Sequence, residues 1–324
     1  MKLAFIISGY KRPDLLVRLV RVLEGRPCAI HIDAKSPIFE EVVEALRDVP
    51  NVHYLPRQKV NYPMFGLVEP TLKGLRWLQT TDCDYALLLT GQCYPLRTIE
   101  SIERCLPALN GMSIIDYHSL PFAYWAKENG GWSRIDRFYV RIFGRIRSFK
   151  LWRRQLPYGL DAYCGAAECC LSRAAGDYIL DYIDKRPDFV RFFRSVFAPD
   201  EMFFQTILAN SPLRNSLIND TPHYIEWESD ETSPRILTSV DELFASSKWF
   251  ARKFDDHAVL DAIDERRTKN SDPANSIAPV PLSADGMTWP FYPDRKHDGA
   301  ASPLPLTPTI AKGDPWFLSR IFAF

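Results

Sequence analysis

Two adjacent carboxylates, Asp200 and Glu201, lie in the stretch Phe197–Pro212, which reads FAPDEMFFQTILANSP. Pro199 interrupts the preceding structure, and the apolar residues after the pair recur with helical spacing, so a helix is predicted behind it. Asp200 would then cap this helix, and Glu201 would lie in its first turn. A carboxylate at the start of an anchored helix is a candidate general acid or base. The alternative is that both residues only stabilise the helix end.

The composition is that of a globular protein. The 324 residues are 46% hydrophobic and 25% charged, and 40 basic residues balance 40 acidic ones, which argues against a dedicated nucleic-acid binder. The seven cysteines are odd in number and form no CxxC pair, so neither a disulfide framework nor a zinc site is expected. The apolar run at the N-terminus is too short for a signal peptide or a membrane span. We therefore expect a cytoplasmic protein.

Predicted strands alternate with amphipathic helices over the first 116 residues. The strands are Leu3–Ser8, Cys28–Ile32, Val52–Leu55, Tyr85–Thr90 and Ser113–Asp116. This alternation predicts an α/β fold with a mostly parallel sheet covered by helices on both faces. Such sheets bind ligands beyond the carboxyl ends of their strands, so Ser8, Asp33 and Gln92 should face one crevice. The first loop has no GxGxxG and the chain has no GxxxxGK[ST], which removes the main support for dinucleotide and P-loop sites.

The segment 117–158 interrupts this alternation with a basic and aromatic composition. Nine basic residues against two acidic ones give it a net charge of +7. Arg137, Arg141 and Arg145 are spaced to share one face of a helix. One interpretation is a solvated amphipathic helix followed by a loop. The other is a surface for an anionic and partly apolar partner, such as a lipid phosphate, a membrane or an acidic glycan.

Residues 258–324 differ from the rest of the chain in amino-acid composition. Nine of the 25 prolines lie there, separated by small and polar residues, and the segment ends in the apolar run from Trp316 to Phe324. We expect a linker or an extension that drapes over the surface.

Five segments, in this order along residues 1–257, together resemble one enzyme family. They are Ile30–Ser36 (IHIDAKS), Asp84–Thr98 (DYALLLTGQCYPLRT), Tyr158–Arg173 (YGLDAYCGAAECCLSR), Phe197–Pro212 and Ser233–Asp255 (SPRILTSVDELFASSKWFARKFD). The chain resembles the core 2/I-branching β-1,6-N-acetylglucosaminyltransferases and peptide O-xylosyltransferases of glycosyltransferase family 14, particularly their small bacterial relatives. The resemblance implies a GT-A domain over 1–257, with the insertion 117–158 and a Pro-rich extension over 258–324. It also implies inverting transfer from a UDP-sugar to an acceptor hydroxyl, without a metal or other cofactor.

The resemblance assigns roles to three residues. Glu201 matches the general base, and Arg235 and Lys253 match the cations that hold the donor diphosphate. These roles suit an inverting displacement, which needs one base and a neutralised leaving group. No Asp-x-Asp follows the strand Tyr85–Thr90, and the one formed by Asp82 and Asp84 precedes it, where a solvated turn is expected.

The resemblance also indicates how the substrates are bound. Ser8 and Asp33 are expected at the nucleotide, although Asp33 could instead cap the next helix. Gln92, Cys93, Gly165 and Trp227 are expected around the donor sugar and acceptor, although Trp227 could equally be a core residue.

Three further residues or segments depart from the family pattern or lie beside its motifs. Cys93 stands where the family commonly has Asp, and Gly165–Cys170 replaces a more aromatic version. The resemblance makes GlcNAc the expected donor sugar, but both of these positions are expected to line the sugar pocket, so xylose, galactose and other hexoses stay open. Arg252, beside Lys253, is expected to face solvent.

The sequence thus predicts a cytoplasmic transferase of bacterial surface glycan synthesis, acting on a saccharide or lipid-linked saccharide and able to contact the inner face of the plasma membrane. No nucleic-acid partner is expected. The alternatives are a xylosyl- or galactosyl-type transferase of the same fold, or a sugar-nucleotide-binding relative without turnover.

Overall fold

The computed structural model describes residues 1–150, 154–227 and 233–269. The strands are β1 (Leu3–Gly9), β2 (Cys28–Ile32), β3 (Val52–Tyr54), β4 (Tyr85–Thr90), β5 (Tyr94–Pro95), β6 (Ser113–Ile114), β7 (His118–Ser119), β8 (Phe138–Ile142), β9 (Arg145–Phe149), β10 (Tyr163–Cys164), β11 (Cys170–Ser172), β12 (Leu217–Ile218), β13 (His223–Ile225) and β14 (Phe250–Arg252). The α-helices are α1 (Pro13–Val22), α2 (Phe39–Ala45), α3 (Glu69–Leu78), α4 (Ile99–Leu109), α5 (Trp132–Ile135), α6 (Arg173–Lys185), α7 (Pro187–Phe193), α8 (Phe203–Ala209), α9 (Val240–Ala245) and α10 (His257–Lys269). Short 3-10 helices cover Phe65–Leu67, Ala123–Gly131, Pro157–Gly159, Pro199–Glu201 and Pro212–Ser216.

A seven-stranded sheet forms the centre, in the order β12-β6-β11-β4-β1-β2-β3. All neighbours pair in parallel except β11, which runs antiparallel to both β4 and β6. The inner strands β1, β2 and β4 are buried along almost their whole length. Continuous burial is the pattern of a sheet covered on both faces, and a separate apolar cluster packs on each face.

The helices begin where the sequence provides caps. Pro13 occupies the first turn of α1, and its fixed φ suits that position. Thr98 accepts a hydrogen bond from the Ser101 N–H at 3.2 Å at the start of α4. Ser172 accepts one from the Ala175 N–H at 3.3 Å at the start of α6. These helices cover the sheet and leave the carboxyl ends of its parallel strands at one edge.

A smaller three-stranded sheet, β13-β14-β5, extends the molecule beside β4. Together with α1 and α10 it encloses a third apolar cluster, which includes Leu15, Tyr94, Phe254 and Leu260. The predicted boundary between 257 and 258 falls inside α10, which packs on this cluster, so the folded unit reaches at least to Lys269. The rest of the predicted extension lies outside the described residues.

Over 117–150 and 154–158 the insertion contains no long amphipathic helix, so the interpretation of this segment as such a helix was wrong. The 3-10 helix Ala123–Gly131 and the one-turn helix α5 are followed by the antiparallel hairpin β8–β9. Arg141 and Arg145 lie on opposite strands of it. In the described part of the chain, no helix is long and apolar enough to cross a bilayer.

Candidate active site

Glu201 ends a tight turn rather than entering a helix. Ala198 has a φ of 44°, and Pro199–Glu201 then forms a 3-10 turn, closed by the hydrogen bond from the Met202 N–H to the Pro199 oxygen at 3.1 Å. Helix α8 begins only at Phe203, with Met202 as its N-cap residue and no side-chain cap. The predicted capping role of Asp200 was therefore wrong. All seven residues of α8 are buried, so core packing rather than a polar cap fixes this helix.

Arg134 holds the Glu201 side chain. Its Nη1 donates to Oε2 of Glu201, and its Nε donates to Oε2 of Glu128. The guanidinium lies 3.6 Å from the centroid of a Trp125 ring, where cation–π attraction adds to the two ion pairs. Burial opposes the charge of Arg134, but the two carboxylates outweigh it and raise its pKa. Arg134 is thus a buried, permanently charged clamp, while Glu201 keeps 26% of its side chain exposed.

The surroundings of Asp200 disfavour the charged form of its carboxyl group. Its Oδ1 is buried and has no hydrogen-bond partner. Burial, and next the charge of Glu201, raise the pKa of Asp200 to about 7. The same surroundings, burial first and then Glu201, raise the pKa of Tyr62 to about 12. The carboxylate pair therefore divides: Glu201 has a cationic partner, and Asp200 has none in the described part of the chain.

Gly165 connects Glu201 to the central sheet. Its N–H donates to the Glu201 backbone oxygen at 2.9 Å. A Cβ on Gly165 would lie 2.0 Å from the backbone oxygen of Asp116, so only glycine fits there. Asp116, just after β6, accepts a hydrogen bond from the Ala166 N–H at 2.7 Å and pairs with Nε2 of His118 at 2.8 Å. Gly165, expected from the sequence to line the sugar pocket, is therefore a close-packing residue next to Glu201, and its contact with the sugar stays a prediction.

Arg235 and Lys253 lie on adjacent segments. The Leu237 N–H donates to the Lys253 oxygen at 2.9 Å, and Nζ of Lys253 donates to Oγ of Ser233 at 2.9 Å. The Arg235 side chain is 61% exposed, with Nη1 3.8 Å from Oε2 of Glu226. The backbone segments that carry Arg235 and Lys253 thus run side by side and are hydrogen-bonded to each other.

Gln92, just after β4, bonds to Phe254, the residue that follows Lys253. Its backbone oxygen accepts from the Phe254 N–H at 3.1 Å, and its Nε2 donates to the Phe254 oxygen at 2.8 Å. One residue earlier, the Gly91 N–H donates to the Ser8 oxygen at 2.9 Å, at the end of β1. The crevice edge predicted from the strand order therefore adjoins the segment that carries Lys253.

Arg252 does not face solvent, which corrects the sequence expectation. Its Nη1 donates to Oε1 of Glu168, whose side chain is only 9% exposed. Burying one charge requires a partner, and here each supplies the other. The segment from Gly165 to Glu168 thus bonds to the Glu201 backbone at one end. At the other end it bonds to Arg252, the residue directly before Lys253.

Asp33 serves a loop at the end of β2. Its Oδ1 accepts hydrogen bonds from the N–H groups of Lys35 at 2.9 Å and Val60 at 3.2 Å. Nζ of Lys35 lies 3.6 Å from Oδ2. The carboxylate therefore organises two loops at the crevice edge, and its nucleotide contact stays a prediction.

Cys93 and Trp227 are placed differently. Cys93 is buried in the apolar cluster on one sheet face, with its sulfur 3.3 Å from the Thr90 hydroxyl. Trp227 follows β13 and is partly buried.

Asp82 and Asp84 precede β4, as predicted, and both bond to Lys2. Within the described ranges, no group of three His, Cys, Asp or Glu side chains is placed to hold a metal ion.

The sequence reasoning missed Arg134, Glu128, Asp116 and Glu168. Arg134 was counted only toward the charge of the insertion, and Glu168 only as part of a segment unlike the family's. Arg134 lies in a stretch of sequence that contains Trp125, Trp132 and Phe138. A charged residue in such an aromatic stretch can form a buried ion pair as well as a binding surface. Its acidic partner in the P-D-E segment lies 67 residues away, and no local pattern links the two.

Comparisons with known proteins identify the family but not the substrates. The model of the Core-2/I-Branching enzyme family matches residues 3–249. Xylosyltransferase 2 of Rattus norvegicus is 26% identical over 204 residues, covering 61% of this chain and 23% of that protein. Xylosyltransferase 1 of Homo sapiens is 24% identical over 207 residues, covering 61% of this chain and 21% of that protein. The chain thus spans less than a quarter of the length of these relatives.

Solved structures show more distant likeness. S. aureus TarS in complex with UDP aligns with a TM-score of 0.32 and 14% identity, covering 57% of this chain and 49% of that chain. HddC from Yersinia pseudotuberculosis aligns with a TM-score of 0.29 and 12% identity, covering 61% of this chain and 88% of that chain. The structure confirms the predicted α/β fold with a mostly parallel central sheet flanked by helices, and the family model spans most of these elements. With 247 of its 324 residues matched, the chain belongs to the Core-2/I-branching enzyme family.

Proposed function

We propose that this protein is an inverting, metal-independent glycosyltransferase that moves a sugar from a UDP-sugar to a hydroxyl of a saccharide acceptor. The observation that carries the proposal is the placement of Glu201. It is a partly exposed carboxylate, clamped by the buried Arg134 and joined through Gly165–Glu168 to the segment that bears Lys253. A base and a pair of cations are thus held on one continuous framework.

In the proposed reaction, Glu201 takes the proton of the acceptor hydroxyl. The acceptor oxygen then bonds to the anomeric carbon of the donor as the bond to the diphosphate breaks, and UDP leaves. Arg134 occupies Oε2, and among the described residues Oε1 has no hydrogen-bond partner. Oε1 is therefore the oxygen that would receive the proton. The clamp holds the carboxylate in one orientation, with Oε1 left to accept the proton.

Arg235 and Lys253 would neutralise the departing diphosphate. Arginine grips phosphate oxygens in pairs, and lysine adds a compact charge that can follow the leaving group. The exposure of Arg235 leaves its guanidinium accessible to a nucleotide. Ser8 and Asp33, at the ends of β1 and β2, would contact the nucleoside. This cation pair would supply the charge stabilisation that many transferases obtain from a metal.

The donor sugar we propose first is GlcNAc, as in the branching enzymes. A xylosyl donor is the second candidate, because the curated relatives are named xylosyltransferases; a galactosyl donor and a binding protein without turnover remain the further alternatives. Gln92, Gly165 and Trp227 would contact the sugars. Cys93 would shape this region from beneath, because its side chain is buried.

We further propose that the acceptor is a saccharide of bacterial surface glycan synthesis, carried on a lipid in at least one step. In that setting the protein would be cytoplasmic and peripheral at the inner face of the plasma membrane. The +7 charge of segment 117–158 supports this setting, since anionic lipids attract such segments.

The test is UDP release from a panel of UDP-sugars, with and without EDTA, in the wild type and in Glu201→Gln. We expect Glu201→Gln to lower kcat by about 10²–10⁴-fold and EDTA to have no effect. Glu41→Gln, an exposed position on α2, is the matched control and should retain wild-type rates. Full activity in Glu201→Gln would refute the assigned base, and loss with EDTA that Mn²⁺ restores would refute metal independence.

A further inference from the structure

The hairpin β8–β9 ends in an exposed apolar tip. Phe143 and Gly144 form its two-residue turn, with φ values of 48° and 79°. The side chain of Phe143 is 100% exposed, and Ile142 before it is 41% exposed. A turn of this kind favours Asn-Gly, and a bulky residue at positive φ is strained. Phe143 is thus unfavourable for the turn and for solubility, and such an outlier points to a function.

The strand pairing places apolar and basic side chains together along one face of the hairpin. The pairs Phe138↔Phe149, Val140↔Arg147 and Ile142↔Arg145 follow one another toward the tip and point to the same side. Phe149 is 43% exposed, and both arginines are exposed. A surface that combines an apolar tip with flanking cations complements an anionic bilayer, whose phosphates lie above the acyl chains.

The base of the hairpin is fixed close to Glu201. The Tyr139 N–H donates to the Ser195 oxygen at 2.9 Å, and the Tyr139 ring packs on Phe197 at 5.2 Å between centroids. Phe197 precedes the turn that carries Glu201. On the same face as Tyr139 and closer to the tip, Nη1 of Arg141 donates to Oδ1 of Asn61 at 2.9 Å, beside the loop that Asp33 organises. The hairpin therefore projects from the rim of the proposed site.

We propose that the β8–β9 hairpin docks this protein onto an anionic lipid bilayer, with Phe143 inserted among the headgroups and Arg145 and Arg147 against the lipid phosphates. This inference deepens the proposed function, because it rests on an acceptor presented at a membrane. It names the surface that would bring Glu201 to that acceptor. Arg141, on the opposite face of β8, bonds to Asn61 and fastens the hairpin to the rest of the protein.

The experiment is sedimentation of the full chain with vesicles of phosphatidylcholine, with or without phosphatidylglycerol. The informative variant is Phe143→Asn, because Asn-Gly suits the turn and preserves the fold while removing the ring. We expect about tenfold weaker binding to anionic vesicles, and near wild-type binding for Phe143→Leu. Arg145→Gln combined with Arg147→Gln should weaken binding by about 30-fold at low salt and by less at high salt. The matched control, Arg47→Gln with Arg104→Gln, removes two exposed arginines elsewhere and should bind within about twofold of wild type.

The proposal is overturned if the wild type ignores anionic vesicles, or if Phe143→Asn and the Arg145/Arg147 double variant bind as the wild type does. It is also overturned if Phe143→Asn converts an oligomer into a monomer without vesicles, since the tip would then contact a second copy of this chain. UDP release in the absence of vesicles separates the two proposals. Normal turnover with no vesicle binding refutes only the docking surface, and vesicle binding without turnover on any UDP-sugar refutes the transferase.

Discussion

Replacing Asp200 with asparagine tests how the carboxylate pair is held. In the structure Asp200 caps no helix, its Oδ1 is buried without a partner, and Glu201 lies next to it in the chain. The uncharged amide is close to isosteric with the protonated acid. Asp200→Asn therefore mimics the protonated form at every pH and removes the charge that burial disfavours.

The magnitude follows from the pKa of Asp200, which rises from 3.8 to about 7 on folding. The native state therefore binds this proton more tightly than the unfolded chain does. The associated stabilisation is complete below pH 3.8 and is lost as pH rises through about 7. At about 1.4 kcal/mol for each pH unit, the loss is on the order of 4 kcal/mol. Asp200→Asn should not suffer this loss and should be more stable than wild type at pH 8.

The assay is urea unfolding at pH 5 and pH 8 for the wild type and Asp200→Asn. Glu201→Gln serves as a partial control: it removes the second cause of the raised pKa of Asp200 and should reduce the pH dependence without abolishing it. If Asp200 were a helix cap, its replacement by alanine would instead cost about 1 kcal/mol at both pH values. Parallel pH profiles for wild type and Asp200→Asn would refute the raised pKa of Asp200.

Three further variants test the framework of the site. Gly165→Ala should cost about 1–3 kcal/mol or more, seen as a lower urea midpoint, because its Cβ would overlap the Asp116 oxygen; an unchanged midpoint would contradict that close approach. Arg134→Lys keeps a charge but loses the fork that holds Glu201, so kcat should fall while the donor KM stays constant; equal changes in both would indicate a donor contact. Cys93→Asp, the common family residue, should cost about 1–3 kcal/mol because the side chain is buried, and wild-type stability would show an open site.

The central sheet was predictable because each inner strand is a short apolar run that can be recognised in the sequence. Tyr85–Thr90 is a short apolar run that is buried on both faces, and the structure has β4 with the same bounds. The order of elements then predicts parallel pairing, and Ser8 and Gln92 fall at the expected edge. Local sequence was sufficient here because burial, strand length and connection all agree.

The insertion shows where local spacing misleads. Arg137, Arg141 and Arg145 recur every four residues, as on a helix, yet Arg141 and Arg145 lie on the two strands of a hairpin and Arg137 directly precedes it. The competing signal was the Gly144 turn between two segments rich in β-branched and aromatic residues. The capping role expected of Asp200 was wrong for a related reason: Phe203 and its neighbours are drawn into the core, and tertiary packing, not the cap, sets where the helix begins.

In the proposed function, the segment Gly165–Cys170 would link donor choice to reaction geometry. The sequence marks it as a departure that shapes the sugar pocket, but the structure shows Gly165 bonded to the Glu201 backbone and Glu168 paired with Arg252, beside Lys253. A displacement needs base, acceptor and leaving group in line, and a shift of about 1 Å can cost about 100-fold in rate. Exchanging this segment for the family's aromatic-rich version would therefore move the base relative to the diphosphate cations. If the proposed function is right, rate and donor preference should change together, because the same six residues would affect both.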